Sequence, residues 1–356
     1  MEEQNTLKKD NIQKVLQFYP FEFGEITLIS NRSGRTTWEV ETNNGPKILK
    51  QANMKPGRML FIAGAHLHLQ QNGLEITPIH MTKNGAICIG TKENQSFVLY
   101  DKVEGNEMTY YNLEQMGKIM EFTGKFHTAS QGYLPSEISK KRGRVGKWHK
   151  LYRWKLQELE GNKQIALSNP NDAFSMMFLE HVDKMLERGK NALLALDEPE
   201  YQEWTNQTIE LSSFTQQDFT LARFIEINNL PYMKELHSIT NDLPSRDLRI
   251  ILNKMMKKLS VWDEKVAVYL LGSYDKVHPL TEKQYKVLWN DLAFPHMFCS
   301  IIHKYYLGQK LSWSDEKYIW ALQNIIAVEN SMDQFLQDFP TFYREIKNMN
   351  GGETNE

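Results

Sequence analysis

Cysteine is scarce in this chain: Cys88 and Cys299 are the only two in 356 residues. So distant a pair makes no disulfide framework, and the chain is expected to be made, and to fold, in a reducing cytoplasm. Long apolar runs are missing too. None approaches the ~20 residues a membrane helix needs. The polar start MEEQNTLKKDNIQK lacks the apolar core of a secretory signal. Neither secretion nor membrane insertion is expected. Charge of one sign is lacking as well. The 42 Lys and Arg nearly balance the 44 Asp and Glu, for a formal net charge of −2, which excludes a global pull toward nucleic acid or an anionic surface. There is no Gly-x-x-x-x-Gly-Lys-Ser/Thr phosphate loop and no Gly-x-Ser-x-Gly nucleophile elbow.

What is present is an ordinary globular composition, 41% hydrophobic and 24% charged, on a chain long enough for two lobes with separate cores. Residues 10–20 form a short amphipathic segment ending at Pro20. GEITLIS (24–30), TTWEVET (36–42) and GPKILKQ (45–51) alternate apolar and polar residues, as half-buried strands do. Turns fall at NRSGR (31–35) and NNGP (43–46), so three antiparallel strands are expected, with Lys50 on the third. RMLFIAGAHLHLQQN (58–72) has helical spacing and stops at Gly73. Further strands are expected around EITPIHM, AICIGT and SFVLYDKV, with a hairpin turn at Asn84-Gly85. From residue 112 onward most segments have helical period. The expected organisation is α+β: a β-rich N-lobe (1–103), a hinge near Tyr100–Gly105, a helical C-lobe (104–346) and a frayed tail (347–356).

The exception within the helical part is Phe214–Leu252. It reads as a loop, a short strand, a tight connection, a second short strand and a helix opening near Asp247, around an acid, Asp218, that looks buried. That order has the shape of a phosphotransferase catalytic loop. Other clusters read as structure. His66 and His68 point apart on a helix, where only i+3 and i+4 residues are neighbours, so they do not form a metal pair. His296, Cys299 and His303 share a helical face and are zinc ligand types, but no fourth ligand accompanies them and the face also reads as core. SKKRGRVGKWHKLYRWK (139–155) mixes cations with Trp148, Tyr152 and Trp154. It reads as a solvated loop entering a helix whose aromatics face the core, in preference to a nucleic-acid surface.

Lys50 on a third strand, FVLYDKVEG (97–105), KFHTASQGY (125–133) after a helix, QQDFTLARF (216–224) and DLPSRDL (242–248) stand in a telling order. Together they resemble the aminoglycoside-phosphotransferase/choline-kinase branch of the protein-kinase-like fold. Within that branch, WEVETNNGPKILK (38–50) and LWNDLAFPHMFCSIIHKYYLGQKLSW (288–313) resemble the CotS-like family of kinase-like bacterial spore coat proteins, over about residues 10–340. The resemblance implies a two-lobed kinase-like fold in which Lys50 holds nucleotide phosphates, Tyr100 sits at the nucleotide hinge and Asp218 occupies the catalytic-acid position. Phosphoryl transfer is mostly positioning and charge stabilisation, much of it by magnesium. Here the implied positions are altered. Gln216 stands for the loop histidine, Arg223 for the metal-binding amide and His237 for the second metal acid, with Glu235 or Asp242 as substitutes if the register slips. Gly34 alone represents the glycine-rich phosphate cover. ATP and magnesium are the implied cofactors only if the chain is active, and the expectation is an impaired or inactive kinase with no resident metal. Arg223 could instead hold an anionic small molecule by its fixed charge. Other coat proteins are the implied partners, and the implied location is the spore coat after synthesis in the mother-cell cytoplasm.

Overall fold

The structure, a computed structural model, describes residues 12–32, 34–309 and 312–351. The chain packs as two compact units. The first comprises Met1–Met108, Ala129–Arg142 and Thr220–Thr240; the second comprises Thr109–Thr128, Gly143–Phe219 and Asn241–Glu356. The partition is not a single cut at 103/104. Phe214–Leu252 is divided between the units, with Thr220–Thr240 in the first.

The first unit is built on antiparallel strands: β1 (Phe23–Arg32), β2 (Arg35–Thr42), β3 (Lys47–Asn53), β4 (Ile79–His80), β5 (Ile89–Gly90) and β6 (Gln95–Asp101). Their order is β1-β2-β3-β6-β4, and β5 also pairs with β6. Alternation fixes two faces. Leu49, Val40, Trp38, Phe97 and Leu99 pack under Ile12, Val15, Leu16 and Tyr19. On the other face Ile48, Ala52, Val98 and Tyr100 pack with Met59 and Ala63 of helix Pro56–Gln71. Lys50 lies on this second face, between Ile48 and Ala52, and pairs with Thr37 and Val98 in its neighbours. The segment expected at 10–20 is described from residue 12, where it is helical to residue 16; residues 10 and 11 lie outside the described residues.

The Asn84-Gly85 turn forms, with Gly85 at φ +79° and Thr82 N–H donating to Ala86 O. It does not close a hairpin, because β4 and β5 both pair with β6 and not with each other. A second sheet, β7 (Asn106–Glu107), β8 (Phe224–Ile227) and β9 (Leu230–Met233), also belongs to this unit. Asn228 and Asn229 both have positive φ, +50° and +63°. That is the geometry of a two-residue hairpin turn, and asparagine tolerates it better than other residues bearing a side chain.

The second unit is helical. Its long helices include Leu113–Ala129, Trp148–Leu167, Ala173–Leu194, Ser245–Leu259, Glu282–Ala293, His296–Tyr306 and Asp315–Ser331. KFHTA (125–129) forms the end of the first of these and does not follow it. Trp148 and Tyr152 are buried as expected, but Trp154 is 51% exposed, since helical spacing carries it off the buried face. Residues 347–351, read as part of a frayed tail, are held in place. Lys347 Nζ donates to both carboxylate oxygens of the buried Asp275 at 2.9 Å and to Leu280 O at 2.7 Å. Asn350 donates to Gly272 O. Among the described residues no helix is long and apolar enough to cross a membrane.

Candidate functional site

Within the first unit, Arg35, Lys50, Tyr100, Glu235 and His237 line one cavity of about 370 Å³, walled on its apolar side by Ala52, Met59, Ile62 and Val98. The pleat puts Arg35 and Lys50 there together: residues 35 and 37 share a face of β2, and Thr37 pairs with Lys50. The hairpin β8–β9 supplies the rest. It returns the chain so that Lys234 N–H donates to Arg223 O at 2.8 Å, and Glu235 and His237 follow directly.

The charged groups form a row. Lys50 pairs with Glu235, Glu235 with His237, and His237 with Arg35. Arginine can only donate, so Nδ1 of His237 accepts from Arg35 and Nε2–H donates to Glu235, which is the neutral imidazole. Burial alone would raise the Glu235 carboxyl, but the Lys50 ammonium and the His237 donor hold it well below the ordinary carboxylate range. His237 is pushed down by burial and further by Arg223 and Arg35, against the pull of Glu235. The side chain of Glu235 is 11% exposed and that of Lys50 28%. It is therefore Glu235 that faces Lys50, while His237 stands behind it. Helix Pro56–Gln71 supplies no acid to Lys50; its inward residue is His66, buried, donating from Nε2 to Thr77 O at 2.6 Å and packed on Tyr100 at 5.2 Å between centroids. Tyr100 is an interior residue of β6 whose ring faces the helix, not a linker residue.

In the second unit the loop carrying Asp218 is pinned by an acid the motif pattern did not single out. The buried Asp247 accepts from the backbone N–H of Gln216 at 2.7 Å and from His127 Nε2 at 3.2 Å, and His127 Nδ1 accepts from Tyr274 OH at 2.8 Å. Gln217 then adopts φ +65°, and Asp218 N–H closes back on Gln216 O at 2.8 Å, a γ-turn. The turn throws Asp218 outward. Its side chain is 56% exposed and bonds Lys254 Nζ at 3.2 Å, so the expectation of a buried acid is wrong. Gln216 itself is buried.

Asp242 is engaged by protein groups in the second unit. It is fully buried, accepts from Trp148 Nε1 at 2.8 Å and from Leu243 N–H at 3.0 Å, and burial pushes its carboxyl up to about 6 against the pull of Arg246. His296 and His303 are likewise engaged elsewhere. His296 bonds Asp291 at 2.9 Å, and His303 bonds Glu158. The Cys299 thiol is pushed up to about 12 by burial. Among the described residues no group of three or more His, Cys, Asp or Glu side chains is placed to hold a metal.

A β-rich unit carrying Lys50 and a helical unit carrying an Asp218 loop define a protein of the aminoglycoside-phosphotransferase type of kinase-like fold. Solved structures agree. An aminoglycoside phosphotransferase from Alicyclobacillus acidocaldarius superposes with a TM-score of 0.75 at 14% identity, over 94% of this chain and 96% of its own. The amicoumacin kinase hAmiN, solved in complex with AMP-PNP, Ca2+ and Ami, gives 0.60 at 12% identity, over 93% and 96%. Sequence narrows the class. The family profile described as "Spore coat putative kinase YutH" matches residues 41–339. Spore coat protein S of Bacillus subtilis strain 168 is 63% identical over 336 residues, 94% of this chain and 95% of that protein. The chain belongs to this family of kinase-like spore coat proteins.

Proposed function

We propose that this protein is a spore coat component that uses a kinase fold to hold an anionic ligand without magnesium, and that it serves the coat by binding and not by phosphoryl transfer. The observation carrying this reading is the commitment of Glu235. Among the described residues it is the one carboxylate lining the Lys50 cavity, and Lys50 and His237 take up its charge. Arg35 also lines the cavity, and Arg223 lies close enough to depress His237. Magnesium needs several oxygen donors free to accept it. A cavity of Lys50, Arg35 and one neutralised carboxylate favours phosphate oxygens over a divalent cation. The apolar wall around Tyr100 suits a ring, so a nucleotide fits both parts of the cavity. Asp218, which the resemblance implies for the catalytic acid, is exposed and paired with Lys254, and that commitment supports the same reading. Membership of the coat rests on the family and on the relative's name, and other coat proteins are the proposed partners.

A sensitive ATP-turnover assay, with hydroxyl-bearing small molecules and coat extract as acceptors, tests the claim. No turnover above that of Asp218→Ala is expected. Turnover that requires magnesium and disappears in Asp218→Ala would establish the second reading, an active phosphotransferase. That reading is favoured by one fact: the group facing Lys50 is a carboxylate, Glu235, which could leave Lys50 for a cation when nucleotide enters.

A further inference from the structure

Helix Ser245–Leu259 and helix His296–Tyr306 of the second unit enclose a separate cavity of about 290 Å³. Its charge is one-sided. Arg249, Lys254, Lys257 and Lys304 line it, against one carboxylate, Asp218. Arg249 is committed to Asp291 at 2.9 Å, and Lys254 is shared between Asp218 and the Phe219 carbonyl. Lys257 has no such partner among the described residues. Desolvation of its ammonium end, with the charges of Lys304 and Lys258, lowers its proton affinity although the residue as a whole is exposed. Lys257 is therefore a cation in excess of the anions that face this cavity. The floor is apolar, formed by Ile250, Ile301 and Ile325, with Trp313 at one side. Asn253 lines the same space, and a side-chain amide carries an NH2 of the donor type an anion takes.

We propose that this cavity binds a small amphiphilic anion: a phosphate monoester or carboxylate on an apolar body, its charge met by Lys257 and Lys304 and its body laid on the isoleucine floor. The spacing builds this site. Arg249, Asn253 and Lys257 follow at i, i+4 and i+8 on one helix, as do His296, Ser300 and Lys304 on the other, so each helix presents one continuous stripe to the cavity. The site lies wholly within the second unit and does not depend on what the Lys50 cavity holds.

Calorimetry of the full chain with phenyl phosphate, inorganic phosphate and citrate tests it. Phenyl phosphate is expected to bind about tenfold more tightly than inorganic phosphate, because only it covers the floor. Lys257→Glu and Lys304→Glu are each expected to weaken it by about tenfold or more, and Lys190→Glu, an exposed cation outside both cavities, to leave it unchanged. Lys257 is exposed, so its reversal is expected to fold; Lys257→Gln, with a melting curve unchanged from the parent, gives the same comparison at lower risk. Equal affinity in the Lys257 and Lys304 variants overturns the site, as does loss of binding in Lys190→Glu alone. Failure of both phenyl phosphate and citrate to bind at ~10 mM also overturns it.

Discussion

Glu235 is the residue on which the Lys50 cavity turns. Its replacement by Ala leaves Lys50 and the His237 donor without their acceptor, which is expected to cost roughly 2–3 kcal/mol, since Lys50 is partly solvated. The pair Lys50→Met, Glu235→Leu is expected to cost less than the two single changes together. Denaturant unfolding of the four proteins measures that coupling, and strict additivity would contradict the pairing. A second residue-scale expectation concerns pH. Burial lowers His66 from its ordinary 6.5 to about 4. As pH falls below 6.5 the unfolded chain takes up a proton that the folded chain refuses until about 4, so stability present above 6.5 is lost across that window. The loss is roughly 2–4 kcal/mol. Urea midpoints between pH 7 and 4 should fall less steeply in His66→Asn; an unchanged slope would show that His66 does not carry the effect. Strand alternation placed Lys50 on the third strand, and the resemblance gave it its role. Glu235 was not legible in this way: no element boundary fixes the count between β9 and the helix at Ser245, and only the folded chain shows which acid meets the lysine.

At the scale of elements, the hairpin β8–β9 positions both Arg223 and Glu235. Its Asn228-Asn229 turn needs positive φ at both residues. Asn229→Gly is expected to be neutral or to stabilise by up to about 1 kcal/mol, and Asn228→Val to destabilise by about 1–2 kcal/mol, read as shifts in melting temperature. The same hairpin was readable in the sequence, because two short β-prone runs flank an Asn-Asn pair. The γ-turn at Gln217 was not, since glutamine carries no signal for positive φ, and so Asp218 was expected inside and stands outside. The cationic cavity was half visible. Helical spacing puts Arg249, Asn253 and Lys257 on one stripe, but the facing stripe lies some fifty residues later, and nothing local joins the two.

At the scale of the whole molecule, the periods of the long elements made the order of a β-rich and a helical segment readable, and the resemblance of the motifs around Lys50 and Asp218 turned that order into a fold. The division into units was not readable, since residues 220–240 leave the helical unit to join the first. Nor was the docking of residues 347–351, which look like any polar terminus. Lys347 neutralises a carboxylate that is 3% exposed, so a chain ending at Ile346 is expected to melt lower, by the equivalent of roughly 2–4 kcal/mol, than one ending at Gly351. Equal melting temperatures would show that the contact contributes nothing. The most direct measurement on the central claim is the affinity of the full chain for ATP, taken by calorimetry with magnesium and again in EDTA. Metal-free binding that is equal to or tighter than binding with magnesium, and that is lost in Lys50→Ala, is the expected result. Binding that appears only with magnesium would contradict it.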